Sequence, residues 1–218
     1  EKADRRNHDA QMGITVKLDN DNHAILQLLT KNVEWNRGET KDGLTLTGHL
    51  AETLVNGTFN INNGTVKLKQ VKTLIENLKF DVNFDGRLMQ LRELSAKIGL
   101  KGKLAANGTF ALTEEESDPY RLDVTADNVE IASSLFSGII NSKGSVVQKR
   151  NRPHIAGEVR LDKALINLPV VPEVTASNLN LGLDVKVELG PEIHLYIKYL
   201  YDLWLAGGLH IKGSTRYT

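Results

Sequence analysis

A strict alternation of apolar and polar residues over residues 179–189 constrains the fold of this chain more than any other feature of its sequence. The odd positions from Leu179 to Leu189 are all aliphatic, and the even positions are small, polar or charged. Since successive side chains of a β-strand point to opposite faces, this pattern predicts a strand with one apolar and one wet face. Such a segment would extend over about 36 Å, which is long for a strand of a compact domain.

The same alternation recurs in shorter stripes along the chain, in residues 78–84, 94–100, 122–126 and 193–197. Pairs of Asn-Gly or Asp-Gly, which favour tight turns between strands, occur at residues 56–57, 63–64, 85–86 and 107–108. Helical signals are confined to about one turn in residues 72–77 and one or two turns in residues 133–140. The sequence therefore predicts an all-β fold.

A looser repeat accompanies the alternation. Similar segments surround Gly57, Gly108, Gly157 and Gly208, and the steps between these glycines are 51, 49 and 51 residues. A period of this length is typical of stacked β-layers, each of which buries its apolar face against the next. The repeat favours one continuous β-unit over residues 13–218, preceded by a charged linker in residues 1–12.

Composition excludes several classes of function. The 27 Lys and Arg residues balance 27 Asp and Glu residues, and aromatic residues make up only 6% of the chain. This balance removes the positive field and the stacking surfaces that nucleic-acid binding needs. The chain has no cysteine, which rules out disulfides and thiolate metal sites. No apolar run is long enough to cross a membrane, so we expect any anchor to lie elsewhere in a longer parent protein.

Signatures of catalysis or of metal and cofactor binding are missing from the sequence. The histidines are scattered without metal-ligand spacing, at His8, His23, His49, His154, His194 and His210. No serine stands in a nucleophile-elbow pattern, and no glycine-rich piece matches a phosphate-binding loop. We therefore expect a non-enzymatic protein with no metal and no cofactor, although a carboxylate pair brought together by stacked β-layers stays possible.

The apolar stripes have two interpretations. They could form the closed core of an ordinary β-sandwich, which is the usual fate of alternating strands. Alternatively, a curled sheet could leave them as an open aliphatic trough for an apolar ligand or partner. The length of the 179–189 stripe and its lack of aromatic residues favour the trough.

Four segments of the chain resemble one known family. They are residues 57–69, 157–169, 181–193 and 203–213, of which the most specific are Leu183-Asp-Val-Lys-Val187 and Leu205-Ala-Gly-Gly-Leu-His-Ile-Lys-Gly213. These segments look like the C-terminal region of the TamB proteins, which belong to the AsmA-like group. The resemblance implies an elongated, U-shaped sheet, folded like a taco, with a hydrophobic concave groove.

The resemblance also implies a location and partners. TamB proteins span the periplasm from an inner-membrane anchor, and related proteins occur in chloroplast envelopes. Their C-terminal end is associated with an outer-membrane barrel protein of the TamA or BamA type. The family is implicated in moving phospholipid and in assembling outer-membrane proteins.

The leading hypothesis is a segment of a bridge-like lipid conduit that carries phospholipid acyl chains in the groove. The expected groove residues are Leu179, Leu181, Leu183, Val185, Val187, Leu189, Phe80, Val82, Phe84, Phe59, Ile61, Val159 and Leu161. The alternative is a scaffold that assembles outer-membrane β-barrel proteins through an open sheet edge. A β-helix enzyme that acts on polysaccharide is a third, weaker hypothesis.

Overall fold

The computed structural model describes residues 12–18, 33–40, 42–49, 52–68, 73–112, 120–149, 152–168 and 180–215. Strands account for nearly all of these residues, and no helix occurs among them. The strands are β1 Met12–Leu18, β2 Val33–Thr40, β3 Asp42–His49, β4 Glu52–Leu68, β5 Leu74–Gly86, β6 Leu88–Ile98, β7 Gly102–Ala111, β8 Arg121–Ala132, β9 Phe136–Lys149, β10 Arg152–Leu168, β11 Gly182–Ile197 and β12 Tyr201–Ser214. The expected all-β fold class is confirmed.

All twelve strands belong to one sheet. From β3 to β10, each strand pairs antiparallel with the next one along the chain. At one border, β3 and β2 pair with successive halves of β4, and β1 pairs with β3. At the other border, β11 pairs parallel with β10, and β12 pairs antiparallel with β11. Within the described part of the chain the two borders do not meet, so the sheet is open.

The sheet curves in the region of β5 to β8. The Thr73 hydroxyl, just before β5, donates a hydrogen bond to the Glu130 carbonyl of β8 at 3.2 Å. In a flat sheet these strands would lie about 14 Å apart, because two strands separate them. Gly102, which opens β7 at the same edge, provides a close approach there, since a Cβ atom on it would lie 2.3 Å from the Ile98 carbonyl oxygen and 3.0 Å from the Asn128 carbonyl oxygen. The backbone therefore bends where glycine removes the obstructing side chain.

Three of the four turns predicted from sequence are wrong. Asp85-Gly86 does end β5, and Gly86 has a φ of 62° before the turn at Arg87. The pairs at residues 56–57, 63–64 and 107–108 lie inside β4 and β7 instead. Asn63 adopts a φ of 53° where the β4–β5 register shifts. Residues that accommodate turns also accommodate bulges, so here they bend a strand without reversing it.

The two predicted helical pieces are also wrong for the residues that the structure describes. Residues 74–77 open β5, and residues 136–140 open β9. Between β8 and β9 the chain makes a tight turn, in which the Ser133 amide donates to the Phe136 carbonyl at 2.8 Å. Strand pairing on both sides outweighs the weak local helical preference. Residues 1–11 of the predicted linker lie outside the described residues.

Candidate functional site

One face of the sheet is apolar over nine consecutive strands. Residues paired across neighbouring strands project to the same face, so the register identifies rows of side chains that cross the sheet. The first row is Phe59, Val82, Leu91, Gly108, Leu122, Val146, Ile155, Leu183 and Gly213. The second is Ile61, Phe80, Leu94, Ala106, Val124, Gly144, Gly157, Val185 and Ile211. Neither row contains a polar side chain from β4 to β12.

Two further rows continue this face toward the turns that follow β6 and β8. One is Ala96, Leu104, Ala126, Ser142, Val159, Val187 and Leu209. The other is Val129, Ile140, Leu161, Leu189 and Gly207. Ser142 carries the one polar side chain in these two rows. We call the surface formed by all four rows the apolar face.

A cavity of about 320 Å³ opens on the apolar face between β5 and β8. Its lining residues are Phe80, Val82, Met89, Leu91, Leu94, Leu104, Ala106, Phe110, Leu122 and Val124. Val82 and Leu91 are buried, although every strand of the described residues belongs to the same sheet. Phe80 adds an edge-to-face contact with Phe59, with 6.0 Å between the ring centroids. The cavity volume lies at the lower end of the range for small-molecule sites, and its lining offers apolar contacts alone.

A second cavity of about 220 Å³ adjoins the first and shares Val124 with it. On the apolar face its lining includes Val146, Ile155, Val159 and Val185. Gly144 and Gly157 pair with each other at its base, and a Cβ atom on Gly157 would lie 2.6 Å from the Gly144 Cα atom. The backbones of β9 and β10 can approach this closely because neither glycine carries a side chain.

Eleven of the thirteen groove residues predicted from sequence belong to strands of the apolar face. Phe84 pairs with Gly57 and Met89 at its border, and the other ten belong to the four rows. Leu181 precedes β11 and bonds to Thr215, just after β12: its amide donates to the Thr215 hydroxyl at 3.0 Å, and its carbonyl accepts from the Thr215 amide at 3.0 Å. Leu179 lies outside the described residues. Sequence reasoning did not select most of the first cavity's lining as site residues, although the stripes at 94–100 and 122–126 contain several of them.

The opposite face is polar and carries ion pairs between neighbouring strands. Arg160 of β10 pairs with Glu188 of β11, and Lys186 of β11 pairs with Glu158 of β10 at 3.4 Å. These side chains are exposed, so each pair contributes little to stability. They do show that β10 and β11 present charge to solvent on this face.

Histidine–aspartate contacts join β11 to β12 on the same polar face. The His210 Nε2 atom lies 2.6 Å from Asp184 Oδ1, and the His194 ring contacts the Asp202 carboxylate. The hydrogen bond from His210 lowers the pKa of Asp184, because it favours the ionised carboxylate. In the described part of the chain, no three His, Asp or Glu residues are grouped so that they could hold a metal ion.

The border strand β12 is exposed along its length. Every residue of β12 except Leu205 is exposed, including Leu203, Leu209 and Ile211 of the apolar side. Among the described residues, β11 is its one strand partner. Its free side therefore offers backbone hydrogen-bonding groups and an exposed apolar row. No helix in the described residues is long and apolar enough to span a membrane.

These observations define an all-β protein built on one open, curved sheet with one apolar and one charged face. Residues 92–212, more than half of the chain, match the TamB C-terminal domain, and the chain belongs to the TamB family. The matched residues run from β6 into β12 and include most of the residues that line the two cavities. The family points to the bacterial envelope and to membrane translocation and assembly machinery, and it is not known as a family of enzymes.

One curated relative is a plant protein. Protein SUBSTANDARD STARCH GRAIN 4, chloroplastic, from Oryza sativa subsp. japonica is 23% identical over 148 residues. The aligned region is 67% of this chain but 7% of the rice protein, so the chain spans a small part of the relative's length. No solved structure matches the chain.

Proposed function

We propose that this chain is a non-enzymatic segment of a lipid conduit, in which the apolar face carries phospholipid acyl chains and leaves their headgroups in water. The observation that carries the proposal is the 320 Å³ cavity lined entirely by apolar side chains on an open sheet. An exposed apolar surface of this extent marks a binding site for an apolar ligand or partner. TamB family membership supports a role in the cell envelope.

The energetics of the apolar face suit transport better than tight capture. Each methylene removed from water contributes about 0.8 kcal/mol, so about 15 methylenes contribute about 12 kcal/mol. A bilayer shelters the same methylenes equally well. The net free energy of moving the acyl chain from the bilayer onto the protein is therefore close to zero. A lipid that gains little at any one position can slide along the rows.

The proposed path runs across the strands, because the rows of the apolar face cross the sheet from β4 to β12. Its residues include the expected set from Phe59 to Leu189, now extended by Leu91, Leu94 and Leu104 of the first cavity. Leu179 and Leu181 would continue the path before β11. We assign residues 13–218 to one TamB-like unit of a longer parent protein, with residues 1–12 as a linker.

We place the parent protein in the periplasm, anchored in the inner membrane, with an outer-membrane barrel protein of the TamA or BamA type as its partner. The TamB family match supports this placement. The chloroplastic name of the rice relative makes a chloroplast envelope the second candidate location.

Lipid content tests the proposal directly. The purified chain is extracted with organic solvent, and the extract is analysed by mass spectrometry for phospholipid. Leu104→Arg, which places a cation in the first cavity, should reduce the bound phospholipid. Its matched control is Lys103→Arg on the neighbouring, exposed position of the same strand. Equal phospholipid in both folded variants, or none in the unaltered chain, would contradict a lipid-carrying face.

The free side of β12 supports a second candidate function, a scaffold for outer-membrane protein assembly. An exposed border strand can pair with an incoming strand through backbone hydrogen bonds. This function needs no bound lipid. Retained binding of the barrel partner by a chain that carries no phospholipid would favour the scaffold over the conduit.

A further inference from the structure

The hairpin that joins β11 to β12 concentrates the aromatic residues of the chain. Three of the five tyrosines and one of the two tryptophans lie in residues 196–204, which we call the aromatic tip. Tyr199, in the turn, is 87% exposed, and Trp204 is 72% exposed. Leu200 and Leu203 are exposed beside them. Large apolar side chains are rarely exposed as a group unless they bind a partner protein, a ligand or a membrane.

Both faces of the aromatic tip carry these side chains. On the polar face, the Trp204 ring stacks on His194, with 4.9 Å between centroids and 15° between planes. On the apolar side, Tyr201 pairs with Ile197. The Lys198 Nζ atom lies 4.9 Å from the centroid of the Tyr199 ring. The tip can therefore enter an apolar medium end-on, with aromatic surface on either side.

Other turns at the same edge of the sheet also expose leucines. Leu100 between β6 and β7 is 87% exposed, and Leu135 between β8 and β9 is 55% exposed. At the opposite edge, Leu88 and Leu112 are less exposed, at 41% and 42%. The turns beside the aromatic tip therefore present more of each leucine side chain to the surroundings.

We propose that the aromatic tip docks on the interface of a lipid bilayer. Tyrosine and tryptophan prefer this environment, because their rings are apolar and their polar groups reach the headgroups. Leu200 would meet the acyl boundary, while the Lys198 ammonium extends toward the headgroups. Trp204 is about 10 Å from Tyr201 along the strand, which places it at headgroup depth. The chain has a formal net charge of 0, so this contact needs no anionic lipid.

This docking site is separate from the two cavities and does not require the apolar face to carry lipid. If both proposals hold, the tip brings the β12 end of the apolar face next to a membrane. Variants of the tip should then change membrane binding alone, and variants of the first cavity should change lipid content alone.

Phosphatidylcholine vesicles test the proposal with Trp204 as the reporter. The background variant Trp35→Phe leaves Trp204 as the one tryptophan. We expect its emission to shift to shorter wavelength on addition of vesicles and to be quenched by phosphatidylcholine that is brominated near the headgroup end of its acyl chains. The double variant Tyr199→Ser and Leu200→Ser should weaken vesicle binding about tenfold or more, because two large side chains no longer leave water.

The matched control removes two exposed leucines at the opposite edge, through Leu88→Ser and Leu112→Ser. It should bind vesicles as the unaltered chain does, and binding should persist at high salt because it is not electrostatic. Circular dichroism verifies that both double variants are folded. An unchanged Trp204 emission with vesicles, or equal loss of binding in the two double variants, would overturn the proposal.

Discussion

At the scale of single residues, neighbouring positions of β11 should differ completely in what they contact. Leu183 lies in a row of the apolar face, whereas Asp184 lies on the polar face and contacts His210. A photo-crosslinking amino acid at position 183 should therefore capture lipid, and one at position 184 should not. Mass spectrometry of the crosslinked products measures both. Equal labelling at the two positions would refute the assignment of the apolar face as the lipid path.

The contact between His210 and Asp184 should make part of the stability of β12 depend on pH. The hydrogen bond from His210 lowers the pKa of Asp184 in the folded chain. A lowered carboxyl pKa contributes stability above its unfolded value of about 3.9, and this contribution disappears as the pH falls through the lowered pKa. His210→Ala should return the pKa of Asp184 toward its ordinary value, which an NMR titration of the carboxyl group measures.

Asp123 provides the internal control for that titration. Its own pKa is lowered by a hydrogen bond from Arg121 at 2.8 Å, within β8. His210→Ala leaves this pair untouched, so the titration of Asp123 should not move. An Asp184 titration that is the same with and without His210 would show that the contact is not formed in solution.

At the scale of strands, glycine positions decide where the sheet can bend. A Cβ atom on Gly108 would lie 2.2 Å from a backbone oxygen of β8, whereas one on Gly13 of β1 would meet nothing within 4 Å. We expect Gly108→Ala to lower the free energy of unfolding by about 1–3 kcal/mol, because the backbone must shift. Gly13→Ala should change it by less than about 0.5 kcal/mol. Urea unfolding of the two variants measures the difference, and equal stability would show that β7 and β8 do not approach closely.

Bulges explain which parts of the apolar face could be read from the sequence. Leu183, Val185, Val187 and Leu189 alternate without interruption in β11, so period-two reasoning placed them on one face. Leu91 and Leu94 are three residues apart and would fall on opposite faces of a regular strand. The register shifts between them, and both line the first cavity. A bulge cannot be located from alternation alone, because it depends on the pairing with neighbouring strands.

At the scale of the whole molecule, the apolar face continues through a change of strand direction. The β10–β11 pair is parallel, and the pairs on either side of it are antiparallel. Gly157 nevertheless pairs with Val185, and Val159 pairs with Val187, so the rows cross this junction unbroken. A sandwich interpretation of the stripes required a second sheet, and all strands of the described residues lie in one. Within the described residues, no second sheet covers the apolar face.

Val185→Arg tests whether that face is an open path or a closed core. Val185 is half-buried, lines the second cavity and pairs with the exposed Ile211 of the border strand. In a closed core, the unpaired guanidinium would be desolvated and the chain should unfold. On an open face the side chain can extend to water past β12, so we expect a melting temperature close to that of the control Lys186→Arg.

The folded Val185→Arg chain should nevertheless lose bound phospholipid, because a cation interrupts the row of aliphatic side chains. Thermal melting and lipid mass spectrometry of both variants separate these outcomes. A folded Val185→Arg chain with as much phospholipid as the control would show that lipid does not pass along this row.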